Sequence, residues 1–396
     1  MIDFSVVTTE AELQALAPAW DDLLRRARGY GAFSDFGWHM AAWRDVAAPR
    51  GCWLRVIVGR VSGRVVLIWP LVLDGGTLRF LCSEKFEYRD VLVETGPSAE
   101  SWTVAAWRFA RRRCGASWID LRDVPVGQPG AAAWLARAAD HAGARALVRI
   151  TYAPVIRLAR HKTFEMYAAT LPARLQADQR RQWRRLENWP GDTGFHVVDD
   201  PTEAAALVQW MTMRKLEWAA ERSIDVGAIR EPGYRRFLAG VMGEGVASGA
   251  AMVCRLGGAA APLSAGCGLV VGDRFCFYMF AYDPAAGTLS PSRLLLERVI
   301  RWCMANGLVT FDFLPGEEAY KPVWANDREA VADYVVPVSL WGHVRIAWGR
   351  HAMGWLARRP WVMRVYRAVP TALRARVRRR LSGGWDLLSD METPRH

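Results

Sequence analysis

The stretch from residue 250 to 314 constrains the fold most. Three apolar runs, Ala250–Leu256, Ala261–Val271 and Arg274–Tyr282, follow one another with Gly-rich turns between them and read as a three-strand meander. Pro291–Ala305 then reads as a helix with Leu294, Leu295, Ile300 and Trp302 available to bury, and Val309–Leu314 returns to strand. A meander, a helix and a further strand in close succession place the chain among the mixed α/β folds.

The remaining segments extend this pattern. In the first half, Ala11–Arg28 reads as an amphipathic helix. Trp53–Val61 and Arg64–Leu73 read as strands around a Ser62-Gly63 turn, Ser101–Arg113 and Ala131–Ala142 as helices, Trp118–Leu121 as a strand and Ala146–Leu158 as a strand interrupted by Pro154. In the second half, Arg174–Asn188 is a basic helix and Phe195–Val198 a strand. Glu203–Ala220 and Tyr234–Met242 are helices, and Ala332–Leu340 closes the series as a strand. Each half thus runs helices, strands, helix, strand, without a repeat at residue level. At roughly 100–200 residues per domain, 396 residues hold about two. The boundaries fall at residues 1–162, 163–340 and a C-terminal amphipathic helical tail, 341–396.

Charge separates the tail from the body. No acid occurs between Asp333 and Asp386, whereas that stretch holds eleven arginines, nearly all of the net charge of +12. The body is therefore close to neutral, which argues against a nucleic acid polymer as partner, since such proteins spread basic residues over the folded domain. In the tail, Trp341, Val344, Trp348, Ala352 and Trp355 recur at helical spacing, as do Val362, Tyr366, Val369, Leu373, Val377 and Leu381. Aromatic residues on one side and arginine on another suit a helix at an anionic membrane surface. Helices that close over the domain with solvated arginines fit the same pattern. The longest apolar run, Val65–Leu73, is far short of the about 20 residues that span a bilayer. An early acid and no apolar core at the N-terminus argue against a secretory signal, so the expected location is cytoplasmic, or peripheral at the inner membrane surface. Seven widely spaced cysteines without a C-x-x-C pair, and scattered histidines, point to no metal site.

Two segments carry candidate chemistry. In Tyr282-Asp-Pro-Ala-Ala-Gly-Thr-Leu-Ser-Pro-Ser-Arg293, Ser290 suits an N-cap and Pro291 the first helical position. The N–H groups that follow make an anion site that Arg293 can reinforce, though an ordinary capped helix reads the same way. In Phe311-Asp-Phe-Leu-Pro-Gly-Glu-Glu-Ala-Tyr-Lys-Pro-Val-Trp324, a strand ends in a Pro-Gly turn followed by two acids, a tyrosine and a lysine. Strand ends beside turns are where α/β folds place reactive groups.

With Arg214-Lys-Leu-Glu-Trp218 upstream, these segments resemble the CelD-like branch of the GNAT acyltransferases, relatives of the FemABX peptidyltransferases. The resemblance is close from about residue 165 to 325. It lacks the Gly-rich R/Q-x-x-G-x-G/A phosphate loop of typical GNAT enzymes. It implies two tandem GNAT-like acyl-CoA N-acyltransferase domains, the second retaining the acyl-CoA groove. It further implies acyl transfer from acetyl-CoA, without a metal, to an amine of an amino sugar or glycan, lipid-linked in one version, in exopolysaccharide or cell-envelope synthesis. On this reading the strands Phe275–Tyr282 and Val309–Phe313 splay. Tyr282, Ser290, Ser292, Arg293 and Leu294 hold the donor, its pyrophosphate on the last three N–H groups. Glu317, Glu318 or Asp312 is the general base, Asp312 being equally readable as a structural residue of the sheet. Tyr320 protonates the leaving thiolate or orients the acceptor, Lys321 binds an acidic acceptor, and Arg214, Lys215 and Trp218 wall the acceptor side. Two other functions fit parts of the pattern. One is a FemX-like aminoacyl transferase. The other is a non-catalytic regulator of polysaccharide synthesis that binds an anionic ligand such as a cyclic dinucleotide through residues 341–381.

Overall fold

The computed structural model describes residues 2–27, 32–81, 88–127, 130, 147–224, 226–316 and 318–344. The helix expected at Ala131–Ala142 lies outside these residues, as do Glu317 and nearly all of the basic tail. The strands of the first half are β1 (Asp3–Val7), β2 (Trp53–Leu54), β3 (Val56–Val61), β4 (Arg64–Trp69), β5 (Leu71–Asp74), β6 (Thr77–Phe80), β7 (Leu92–Val93), β8 (Trp118–Pro125) and β9 (Leu147–Arg157). Those of the second half are β10 (Phe195–Val198), β11 (Ala251–Gly257), β12 (Pro262–Val271), β13 (Arg274–Tyr282), β14 (Thr310–Asp312) and β15 (Asp327–Pro337). Among the described residues they form a four-stranded sheet, β1-β3-β4-β7, and an eleven-stranded sheet, β10-β11-β12-β13-β14-β9-β15-β8-β6-β5-β2.

The large sheet runs across both halves of the chain. β9, from the first half, lies between β14 and β15, and β15 pairs on its other edge with β8. The two halves therefore exchange strands, and neither closes its sheet alone.

Proline sets several breaks that periodicity reads through. The helix expected over Ala11–Arg28 is two, Glu10–Ala15 and Ala17–Arg26, because Pro18 lacks the N–H that would continue the first. The strand expected over Arg64–Leu73 divides at Pro70, β4 joining the small sheet and β5 the large one. Trp53–Val61 also divides, at Arg55 and without a proline, into β2 of the large sheet and β3 of the small one. By contrast β9 runs unbroken through Pro154. Its carbonyl accepts the Phe313 N–H at 3.1 Å, and β14 pairs only from Val155 onward, so no ladder bond is asked of the missing N–H. β1, β6, β7 and the helix Phe36–Ala42, too short for a clear period, were not legible.

Both faces of the β11–β13 meander are covered. Val253, Cys267, Cys276 and Met279 pack against Val208, Met211, Phe237 and Leu238 of the helices Pro201–Glu221 and Pro232–Ser248. Phe275, Phe277 and Phe311 pack on the other face against Leu294, Leu295, Val299 and Ile300 of the helix Pro291–Ala305. The described cysteines are all free thiols. No described helix is long and apolar enough to cross a membrane.

Candidate active site

The site lies where β13 and β14 part. They pair in parallel over three residues only, Arg274–Thr310, Phe275–Phe311 and Cys276–Asp312. β13 then continues to Tyr282 while the chain after Asp312 turns away, so the backbone of Phe277–Tyr282 has no strand partner on this edge among the described residues. An extra residue, Tyr278, bulges out of β13 opposite Cys267 and Gly268 and bends the strand. Its hydroxyl meets that of Tyr234 at 2.6 Å.

The turn that diverts the chain is held at both ends. Asp312, fully buried, accepts the Leu314 N–H at 2.8 Å, which sets Leu314 in the left-handed region at φ +62°. Buried Lys321 donates its ammonium to the carbonyls of Leu314 at 3.2 Å and Pro315 at 3.3 Å and pairs with Glu318 at 2.8 Å. Gly316 sits under this pair at φ +152°, where a Cβ would lie 2.5 Å from the Lys321 Nζ. The short helix Lys321–Trp324 then starts, and Tyr320 and Trp324, four residues apart, face the gap.

Between the walls is a cleft of about 290 Å³, lined on one side by Phe280 and Tyr282 of β13 and on the other by Tyr320 and Trp324. Its end is the N-terminus of the Pro291–Ala305 helix, with Gly287, Ser290, Pro291, Ser292, Arg293 and Leu296. Ser290 occupies the N-cap position, but its side chain does not cap the helix as expected. Its backbone is left-handed at φ +50°, its carbonyl accepts the Arg293 N–H at 2.9 Å, and its side chain borders the cleft. Pro291 has no N–H, and the Ser292 N–H is left to face outward at the positive end of the helix.

The expected site residues separate accordingly. Tyr282, Ser290, Ser292 and Arg293 come together at the cleft, but the Arg293 and Leu294 N–H groups expected on the pyrophosphate turn to the Ser290 carbonyl, at 2.9 and 3.4 Å, and the Leu294 side chain is buried in the core. The Arg293 guanidinium is held by Asp178 of the helix Ala173–Glu187 at 2.8 Å, and this contact keeps the Asp178 carboxyl below its usual range. Tyr320 packs edge-on to Phe280 and Phe313, and burial, with Glu318 adding to it, raises its hydroxyl well above the ordinary phenol range. Its proton is therefore held more tightly than an ordinary phenol's. Glu318 is exposed and tied to Lys321 rather than pointed into the cleft. Asp312 faces inward, held by Tyr88 at 2.7 Å and Arg274 at 2.5 Å; burial raises its carboxyl, and Arg274, Tyr88 and the Leu314 N–H oppose the rise. Lys215 reaches the cleft wall, its ammonium 5.3 Å from the Phe280 ring. Arg214 pairs with Glu217 at 2.8 Å, and Trp218, partly exposed, stacks under Arg222.

Several lining residues escape the motif reading. Phe280 lies two positions before Tyr282, and the period of two would have put both on one face. Leu296 and Trp324 follow Ser292 and Tyr320 by one helical turn. Tyr88 and Asp178 carry no local signal, because their partners lie far away in sequence.

The first half contains a similar parallel ladder, Thr77–Trp118, Leu78–Ile119 and Arg79–Asp120 between β6 and β8. There the chain fills its own gap. Buried Arg89 donates its backbone N–H to the Asp123 carbonyl at 3.2 Å and a guanidinium N–H to the Arg122 carbonyl at 3.2 Å.

A parallel strand pair that opens beside a helix N-terminus is the ground plan of acyl-thioester transferases. Residues 173–322 match the family model described as Acetyltransferase (GNAT) domain. The chain carries a GNAT-type acetyltransferase domain. Among solved structures, FemX is similar over 84% of this chain and 96% of its own, at 10% identity and a TM-score of 0.51, a likeness of fold. A tandem GNAT protein from the clavulanic acid biosynthesis pathway matches at 19% identity over 85% of this chain and 99% of its own, with a TM-score of 0.46. The C-terminal domain of a putative lysylphosphatidylglycerol synthetase from Agrobacterium fabrum matches at 11% identity over 84% and 93%, with a TM-score of 0.48. A search of curated protein sequences gave no significant match.

Proposed function

We propose that this GNAT-type protein transfers an acyl group from acyl-CoA, with acetyl-CoA as the donor, to the amine of an amino sugar in an exopolysaccharide or cell-envelope glycan precursor, as in the CelD-like branch. The observation that carries the reading is the parting of β13 from β14 at the N-terminus of the Pro291–Ala305 helix. The open edge of Phe277–Tyr282 suits pantetheine amides, which pair with a bare strand as a peptide does. The Ser292 N–H, the hydroxyls of Ser290 and Ser292 and the Arg293 guanidinium suit the pyrophosphate.

In the reaction the amine nitrogen attacks the thioester carbonyl, a base removes the ammonium proton, and the C–S bond breaks. Tyr320, bordering the cleft, gives its proton to the departing thiolate. Glu317 and Glu318 are the bases we assign to the amine, with Glu318 needing to exchange Lys321 for the incoming ammonium. We assign Lys321 and Asp312 to the turn instead of to acceptor or base, because both are buried and bound to backbone groups. Lys215, beside Phe280, is the acceptor-side cation of the Arg214–Trp218 set that reaches the cleft.

The test is transfer of label from acetyl-CoA to an amino sugar or its oligomer. The Glu317→Gln/Glu318→Gln double variant is expected to lose at least about a hundredfold in kcat. A wild-type rate in that variant removes both as bases, and no transfer to any amino sugar removes the acceptor class.

A further inference from the structure

The residues that hold the cleft open do not all belong to the domain that contains it. Tyr88, from the first half, is half-buried and donates its hydroxyl to Asp312 Oδ2 at 2.7 Å, across 224 positions of sequence. The other oxygen of the same carboxylate accepts the Leu314 N–H at 2.8 Å, the bond that starts the turn away from β13. Arg274, at the first rung of the β13–β14 ladder, closes the set with one guanidinium nitrogen on Asp312 at 2.5 Å and another on Glu329 of β15 at 2.7 Å. The first half also reaches the other place where the cleft is shaped. Phe33 packs against both Tyr88 and Tyr278, the bulged residue of β13, and Trp38 packs edge-on to Tyr278. The segment that provides Tyr88 is the one whose next residue, Arg89, fills the corresponding gap in the first half.

We infer that Tyr88 is a positioning residue for the donor groove: by orienting the Asp312 carboxylate toward the Leu314 N–H, the first half of the chain fixes the turn that keeps the second half's strands apart. The inference rests on the acyl-CoA reading for its consequence in binding, though not for the strut itself. A carboxylate with three fixed donors has one orientation. Removing the tyrosine hydroxyl takes one of two donors from Oδ2, leaves it to Arg274 and frees the group to rotate about that contact. The left-handed backbone at Leu314 is retained only while the surroundings impose it, so the turn relaxes when the carboxylate does.

Hydrogen exchange of the full-length, ligand-free protein tests the strut directly. Tyr88→Phe keeps the ring and its packing, and about tenfold faster exchange is expected over residues 313–321, from the loss of one hydrogen bond to a charged group. Tyr334→Phe, a buried tyrosine remote from the cleft, leaves that segment unchanged. Calorimetric titration with acetyl-CoA then reads the consequence, a Kd about tenfold weaker for Tyr88→Phe and unaltered for Tyr334→Phe. In turnover the loss falls on KM for acetyl-CoA and spares kcat, because the reacting groups are untouched. Unchanged exchange at 313–321 in Tyr88→Phe overturns the strut whatever the ligand. Faster exchange with an unaltered Kd overturns its role in the groove. If the wild-type protein itself fails to bind acetyl-CoA, the donor assignment falls, while the exchange measurement still decides the strut.

Discussion

Tyr320 and Ser290 show how single side chains take functions their sequence context only outlines. Tyr320 is half-buried against Phe280 and Phe313, which raises its hydroxyl above the ordinary phenol range and places it on the cleft wall opposite β13. Tyr320→Phe is expected to lower kcat by about tenfold to a hundredfold while leaving KM for acetyl-CoA within about twofold, the split that steady-state kinetics reads for a proton donor. Ser290 holds a left-handed backbone that glycine adopts without strain. Ser290→Gly should raise the unfolding free energy by up to about 1 kcal/mol in urea denaturation, yet weaken donor binding through loss of the hydroxyl. His39 carries a pH signature. Burial lowers its pKa to about 4, so below the ordinary value of 6.5 the unfolded chain takes up a proton that the folded one refuses. The stability that the neutral imidazole contributes is complete above that value and drains away as pH falls toward 4, at up to about 1.4 kcal/mol per pH unit. Replacing His39 with Gln should flatten the fall, seen in urea midpoints across that range.

At the level of elements, much was readable, and the exceptions have physical causes. The helix Pro291–Ala305 matches the sequence reading because Ser-Pro punctuation and periodicity coincide there, and the strand Phe195–Val198 matches between Gly194 and the Asp199-Asp200-Pro201 break. The meander is present with its turns where glycine placed them. What period and propensity do not encode is which edge a strand pairs with, so the insertion of β9 between β14 and β15 was invisible, and so was the change of sheet at Pro70. The candidate site divides the same way. Tyr282, Ser290, Ser292, Arg293 and Tyr320 come from contiguous motifs and meet at one cleft, whereas the inward turn of Lys321 and Asp312 follows from contacts with Leu314, Pro315 and Tyr88 that no local spacing announces. The β13 bulge itself needs a small partner. A Cβ on Gly268 would fall 2.5 Å from the Cys276 carbonyl oxygen and 2.3 Å from the Phe275 ring. Gly268→Ala is expected to destabilise by about 1–3 kcal/mol in urea unfolding, since the carbonyl belongs to the ladder and cannot retreat.

For the whole molecule, the strand exchange makes the two halves one folding unit around the cleft between β13 and β14. β15 pairs with β9 over nine residues, Asp327 to Val335, and β14 has β9 as its antiparallel neighbour among the described residues. A fragment holding residues 163–344 should therefore show no cooperative unfolding transition by circular dichroism, and a sharp one would separate the halves. The first half fills its own gap with Arg89 and lends Tyr88 to the second, so its contribution is to shape the groove. The most direct measurement is a crystal structure of the complex with acetyl-CoA. The pantetheine should lie along the open edge of Phe277–Tyr282, with its pyrophosphate at Ser292 and Arg293 and its sulfur near Tyr320. Coenzyme A bound elsewhere, or β13 and the chain beyond Asp312 zipped together in the complex, would contradict the account.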